Sequence, residues 1–174
     1  MEYFDIFELA PAFLLDETDL KKRYLLNSKK YHPDFHTHAD EATQQQILLK
    51  SSLNNKAYNT LKEEYRRMAY ILQQLGLVGE GIKHELPQEF LLEMMEINEQ
   101  LMELQMDPDP EQLIQARAKV EAEMAVLRSG VAADLGIDPL AEGNAEALAR
   151  IRDYFLKRKY LLRMLENLDR FAGA

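Results

Sequence analysis

Apolar residues recur at intervals of three and four along almost the whole chain, and no run of alternating β-branched residues bounded by turns interrupts them. This spacing predicts an all-α protein. The first helix starts at Asp16 or Thr18, either of which can satisfy backbone N–H groups with a side-chain oxygen, and spans about 19–31. It stops where Pro33 forces His32 out of the helical region. After the polar stretch FHTHADEA, a second long helix carries Ile47, Leu48, Leu53, Ala57, Tyr58 and Leu61 toward one side. The two helices are therefore expected to pair as an antiparallel hairpin. A third pattern, EYRRMAYILQQLG, repeats Met68, Ile71, Leu72 and Leu75 at helical spacing and ends at Gly76.

The segment GLVGEGIKHELP concentrates glycine and proline where the apolar pattern lapses, which marks it as a domain boundary. It divides the chain into a first domain over 1–76, a linker over 77–86 and a second domain over 87–174. Beyond the linker, three helical stretches cover about 87–106, 110–129 and 144–171, separated by DPDP and by GVAADLGIDPLAEGN. A three-helix bundle is the simplest arrangement of these three helices. No internal repeat and no low-complexity tract is present.

With 174 residues, 47% of them hydrophobic and 29% charged, the chain has the balance of one or two folded domains, which excludes a disordered or fibrous protein. The absence of cysteine removes disulfides, thiolate nucleophiles, sulfur-ligated zinc and a self-held iron-sulfur cluster. No segment reaches the roughly 18 uninterrupted apolar residues of a membrane span, and no basic region precedes the first apolar stretch as in a signal peptide. A cytoplasmic protein without a membrane partner is expected.

The net charge of −9 is distributed unevenly. Residues 20–31, LKKRYLLNSKKY, hold five Lys/Arg and no acid, whereas residues 85–111 hold nine acids and no base. Patches of opposite sign imply two different partners. Nucleic acid is not expected to be one of them, because the overall acidity repels phosphate backbones.

Candidate chemistry centres on His32-Pro33-Asp34, which follows the basic helix at the hairpin tip. Alone, the tripeptide is a helix stop leading into a solvated loop. Beside a positive helix it becomes a rigid polar contact, with a fixed backbone, an imidazole and a charge-assisted acceptor. That construction suits docking rather than turnover. His32, His36 and His38 with Asp34 and Asp40 are ligand types for zinc or iron, but no second cluster supports them, so neither a metal nor another cofactor is expected. His84 is isolated, and no pocket-forming aromatic or Gly-rich loop accompanies the glutamate pairs of the second half. The protein is expected not to be an enzyme.

In the acidic segment, Phe90, Met94, Ile97, Leu101 and Leu104 fall in one stripe, the face expected to enter the bundle core. Leu91, Met95, Met102 and Met106 gather on another side, with Leu92, Glu96, Glu99 and Glu103 just beyond. Periodicity leaves this second stripe open between packing on the first domain, meeting another copy and docking a partner.

The segments YFDIFEL, LKKRY, KKYHPD and LNNKAYNTL, in that order, resemble the J domain of heat-shock co-chaperones, whose signature is HPD. AYNTLKEEYRRMAYILQQLG followed by LPQEFLLEMMEINEQL extends the resemblance over almost the whole chain, to the HscB-type co-chaperones of iron-sulfur cluster assembly. The resemblance implies a J domain packed against a C-terminal three-helix bundle. It further implies that His32, Pro33 and Asp34 engage an HscA/DnaK-type chaperone and stimulate its ATP hydrolysis. Lys21, Lys22, Arg23, Lys29 and Lys30 would steer the encounter electrostatically. An IscU-type scaffold protein would bind Leu91, Leu92, Met95, Glu96, Glu99 and Glu103, joined by Phe155 on the last helix.

Phe155 shares a stripe with Leu148, Ile151 and Leu162, so core and interface both remain open for it. Several positions depart from the family pattern. Leu25 and Leu26 stand where many J domains are basic, and Phe35 stands where Lys or Arg often follows the motif. Glu64 replaces a proline of LxxPxxRAxYLL, and Met68 replaces its alanine. The competing readings are a J-domain adaptor for a different client, a histidine-carboxylate metalloenzyme and a structural helical oligomer.

Overall fold

A computed structural model describes residues 1–83, 85–106 and 109–172. His84 and the Asp107-Pro108 half of the DPDP break lie outside the described residues. Every long element among the described residues is helical, and none is long and apolar enough to cross a membrane. The chain divides into two compact units, Met1–Gly79 with Leu135–Asn144, and Glu80–Asp134 with the segment from Ala145 onward.

The first unit holds α1 (Glu2–Asp5), α2 (Glu17–Lys30), α3 (Glu41–Leu61) and α4 (Glu64–Gln74). Asp16 caps α2 by accepting from the N–H groups of Thr18 and Asp19 at 2.8 and 3.2 Å. Asp40 caps α3 by accepting from the Thr43 N–H at 2.9 Å. The rings of Tyr24 and Tyr58 stack at 4.1 Å, and Asn54 donates to the Tyr24 carbonyl and the Ser28 hydroxyl. Residues ascending α2 thus meet residues descending α3, so the pair is antiparallel.

The core beneath this hairpin comprises Phe4, Phe7, Phe13, Leu20, Ala57, Leu61, Met68, Ile71 and Leu72, each at most 2% exposed. Burial of each large side chain contributes on the order of 2 kcal/mol. Leu48, expected on the packed side of α3, is 55% exposed. The reason is angular: it lies one residue, about 100°, away from Ile47 and off the arc shared by Asn54, Ala57 and Leu61.

Arg67 of α4 is 3% exposed, yet its guanidinium is well placed. It donates to the Phe13 carbonyl at 2.8 Å and also to the carbonyl of Leu61, the last residue of α3. Burial pushes its pKa down from the ordinary arginine value, with the charges of Glu64 and Glu17 opposing. Glu64, the departure from the proline pattern, is the first residue of α4. There a missing N–H would cost nothing and a carboxylate suits the helix dipole, so both residue types fit.

The second unit holds α5 (Gln88–Glu93), α6 (Met95–Met106), α7 (Pro110–Gly130) and α8 (Ala145–Ala172). The expected single helix over 87–106 is interrupted at Met94, whose backbone stays helical (φ −80°, ψ −7°) and whose carbonyl still accepts from the Asn98 N–H. No proline or glycine marks the interruption, and the buried stripe passes through it unbroken. Phe90, Met94, Ile97, Leu101 and Leu104 form the core with Leu113, Ala116 and Val120 of α7 and Leu161, Met164 and Leu168 of α8. Phe90 meets Tyr160 edge-on at 5.7 Å, and Asn98 donates to the Tyr160 hydroxyl at 2.6 Å. The segment Leu135–Asn144, expected to belong to the second domain, groups with the first unit, and its Leu135 is buried. Composition gave no sign of this, because the scattered Leu135, Ile137 and Leu140 of this loop do not make a periodic pattern.

Two caps provide an acid-stability prediction. Asp40 and Asp109 are held below the usual aspartate value of 3.8, first by backbone N–H bonds from Thr43 and Gln112 respectively. A carboxylate with a depressed folded pKa stabilises above its unfolded pKa, and that contribution disappears as pH falls through the folded pKa. Asp40→Asn with Asp109→Asn preserves cap acceptors that cannot titrate. Its stability is expected to remain near wild type at pH 7, with a shallower loss below about pH 4, measured by urea titration across acid pH.

Candidate protein-docking surfaces

The tip of the α2–α3 hairpin is built by local backbone chemistry. Pro33 opens a 3-10 turn over Pro33–His36, and His32 precedes it with extended backbone angles (φ −74°, ψ 124°). The Asp34 N–H donates to His32 Nδ1 at 3.3 Å. In the neutral ring the proton therefore sits on Nε2, leaving one donor for an outside acceptor. The Asp34 carboxylate is 83% exposed and lies 3.7 Å from His32 Nδ1, so it remains an available acceptor. His36 donates from Nε2 to the Lys30 carbonyl at 2.9 Å, which ties the turn to the end of α2.

Lys21, Lys22, Lys29 and Lys30 are exposed along α2. Arg23 behaves differently from the other basic residues. Its Nε donates to Asp19 at 2.8 Å and its Nη1 donates to the Phe7 carbonyl at 2.8 Å, so much of its donor capacity serves the fold. Neighbouring Asn27 donates to the Ile6 carbonyl at 2.8 Å. The sequence offered charge as the only sign for Arg23, and charge does not reveal a carbonyl sixteen positions away. A cleft beside the tip is lined by Pro33, Asp34, Gln44, Ile47 and Leu48. Its Leu48 belongs to the tip surface, which the sequence reading missed.

On α5 and α6, Leu91, Leu92 and Met95 are 41, 60 and 53% exposed, and Met102 and Met106 reach 68 and 90%. Glu96, Glu99 and Glu103 are exposed beside them. Lys119 of α7 reaches Glu96 at 3.2 Å, while Glu99 and Glu103 form no ion pair among the described residues. The result is an adaptable apolar surface in two clusters, Leu91, Leu92 and Met95, then Met102 and Met106, with a carboxylate margin. Phe155 is only 8% exposed, so most of its ring is covered within this chain. It sits on the inward arc of α8 with Ile151 and Tyr154, where a stripe pattern alone could not separate core from interface. Among the described residues no three His, Asp or Glu side chains converge to hold a metal.

A helical hairpin with HPD at its tip, joined to a separate helical unit, defines a J-domain co-chaperone. Comparison with known proteins narrows the class. A family model described as the HSCB C-terminal oligomerisation domain matches residues 86–169. The co-chaperone HscB homolog of Psychromonas ingrahamii is 30% identical over 169 residues, covering 96% of this chain and 98% of that protein. A Neisseria meningitidis HscB homolog is 34% identical over 131 residues, covering 75% of this chain and 79% of its own length. The chaperone HscB from Vibrio cholerae superposes with a TM-score of 0.71 at 28% identity, covering 99% of this chain and 98% of that one. Human co-chaperone HscB shares the fold, with a TM-score of 0.75 at 24% identity over 96% of this chain and 80% of its own. The chain belongs to the HscB co-chaperone family.

Proposed function

We propose that this protein binds an IscU-type iron-sulfur scaffold, delivers it to an HscA/DnaK-type chaperone and stimulates the chaperone's ATPase. The observation that carries the proposal is the coexistence of two exposed surfaces of opposite charge. One is the His32-Pro33-Asp34 tip beside exposed lysines, and the other is the apolar surface between Leu91 and Met106 edged by glutamates. Each suits a different protein partner. The lysines supply long-range attraction to an acidic face, and the tip adds directional hydrogen bonding at contact. Leu91, Leu92 and Met95 supply the burial that holds a client, while Glu96, Glu99 and Glu103 select a basic margin on it. Holding both proteins raises the client's effective concentration at the chaperone.

The test is a titration into a DnaK-type ATPase with and without an iron-sulfur scaffold. Stimulation is expected from the protein alone and a larger one with the scaffold present. Leu92→Ala with Met95→Ala is expected to weaken scaffold binding by about 2–3 kcal/mol while leaving scaffold-free stimulation unchanged. Isothermal calorimetry measures the first and phosphate release the second. Equal scaffold affinity of variant and wild type would refute the assignment of the strip.

A further inference from the structure

The α2 helix carries more apolar surface than docking by charge requires. Leu25 and Leu26 are 55 and 61% exposed, although the buried side of the helix is already supplied by Leu20 and the contacts of Tyr24, Asn27 and Ser28. Positions three and four apart are neighbours on a helix, so Lys22 borders both leucines from one turn and Lys29 borders both from the next. Lys30 flanks Leu26. All three lysines are exposed, and Lys22 and Lys29 form no ion pair among the described residues. Leu26 also stands at the edge of an open cleft whose wall includes Ile6 and Phe7. At the tip, Phe35 is 67% exposed.

We propose that Leu25 and Leu26 form the apolar centre of the face that meets the ATP-driven chaperone, and that the chaperone offers apolar side chains ringed by carboxylates. The proposal rests on the docking reading above. Charge complementarity selects the occupant: a positive ring around an apolar pair fits an apolar patch with an acidic ring. Lysine attraction acts at distance and fades with salt, whereas leucine burial acts at contact and is not screened. The lysines therefore set the encounter and the leucines the lifetime of the complex. A chaperone whose face is acidic throughout would have carboxylates desolvated against leucine, so the pair also rejects partners.

The test compares wild type with Leu25→Gln plus Leu26→Gln, which retains helix propensity, by titrating each full-length protein into a DnaK-type ATPase at low and high salt. Asp34→Asn is run in parallel. The double variant is expected to need about tenfold more protein for half-maximal stimulation, reach the same plateau, and lose at high salt the stimulation that wild type keeps. Superimposable titrations for wild type and double variant, with Asp34→Asn inactive, would overturn this inference and leave the docking reading standing. A fully active Asp34→Asn would overturn both. Light scattering adds one more outcome: a wild-type dimer that the double variant dissolves would assign the leucines to a second copy, whose acidic strip has matching chemistry, and reject the chaperone assignment.

Discussion

Asp34→Asn is expected to fold as wild type and to lose all stimulation of the partner chaperone's ATPase. The side chain is 83% exposed, and its carboxylate lies beyond hydrogen-bond distance from His32. The contact that shapes the turn is made by the Asp34 backbone N–H, which the variant keeps. Asparagine matches aspartate in size and retains one acceptor oxygen, so the thermal midpoint should hold within about 1 °C. What disappears is the negative charge, and with it the charge-assisted bond that the proposed docking would make, worth about 2 kcal/mol. Single-turnover ATP hydrolysis with excess co-chaperone is the measurement. Stimulation that persists would remove the motif from the mechanism.

The second large effect concerns stability. Arg67→Leu is expected to cost the first unit roughly 3 kcal/mol, because it strips donors from two carbonyls that have no route to water. The Phe13 carbonyl belongs to the segment before α2, and the Leu61 carbonyl ends α3, where backbone acceptors lack partners within the helix. One guanidinium therefore joins three parts of the chain. Leucine is three heavy atoms smaller than arginine, so the loss combines the two stripped hydrogen bonds with a small cavity. A midpoint drop of about 10 °C or more by calorimetry is expected; a drop below about 3 °C would mean that these carbonyls find other donors. Arg67→Lys should recover little, since one ammonium cannot reproduce the geometry of the fork.

The helices were legible because their ends are written in side-chain chemistry. Asp16 is an acceptor where the orphan N–H groups of α2 begin, and Pro33 ends that helix for a steric reason that needs no tertiary context, whereas Asp40, which caps α3, was read only as part of a polar stretch. The buried stripe from Phe90 to Leu104 followed from angle alone. Arg67 was not legible as a core residue, since its partner at Phe13 is 54 positions away and cation type predicts exposure. Phe155 illustrates the converse limit. An aromatic on an apolar arc satisfies core and interface equally until burial is known. At the tip, HPD was readable as a motif, but the exposure of Leu48 beside it depends on where α3 turns relative to its own packed arc.

The grouping of Leu135–Asn144 with the first unit has a topological consequence. The polypeptide changes units three times, after Gly79, after Asp134 and after Asn144, so no single scission separates the halves. A fragment ending at Gly79 would keep the whole hairpin yet forfeit Leu135, a fully interior side chain contributed from far downstream. The two halves are interleaved in sequence, and they should be inherited, truncated and engineered as one indivisible length of chain.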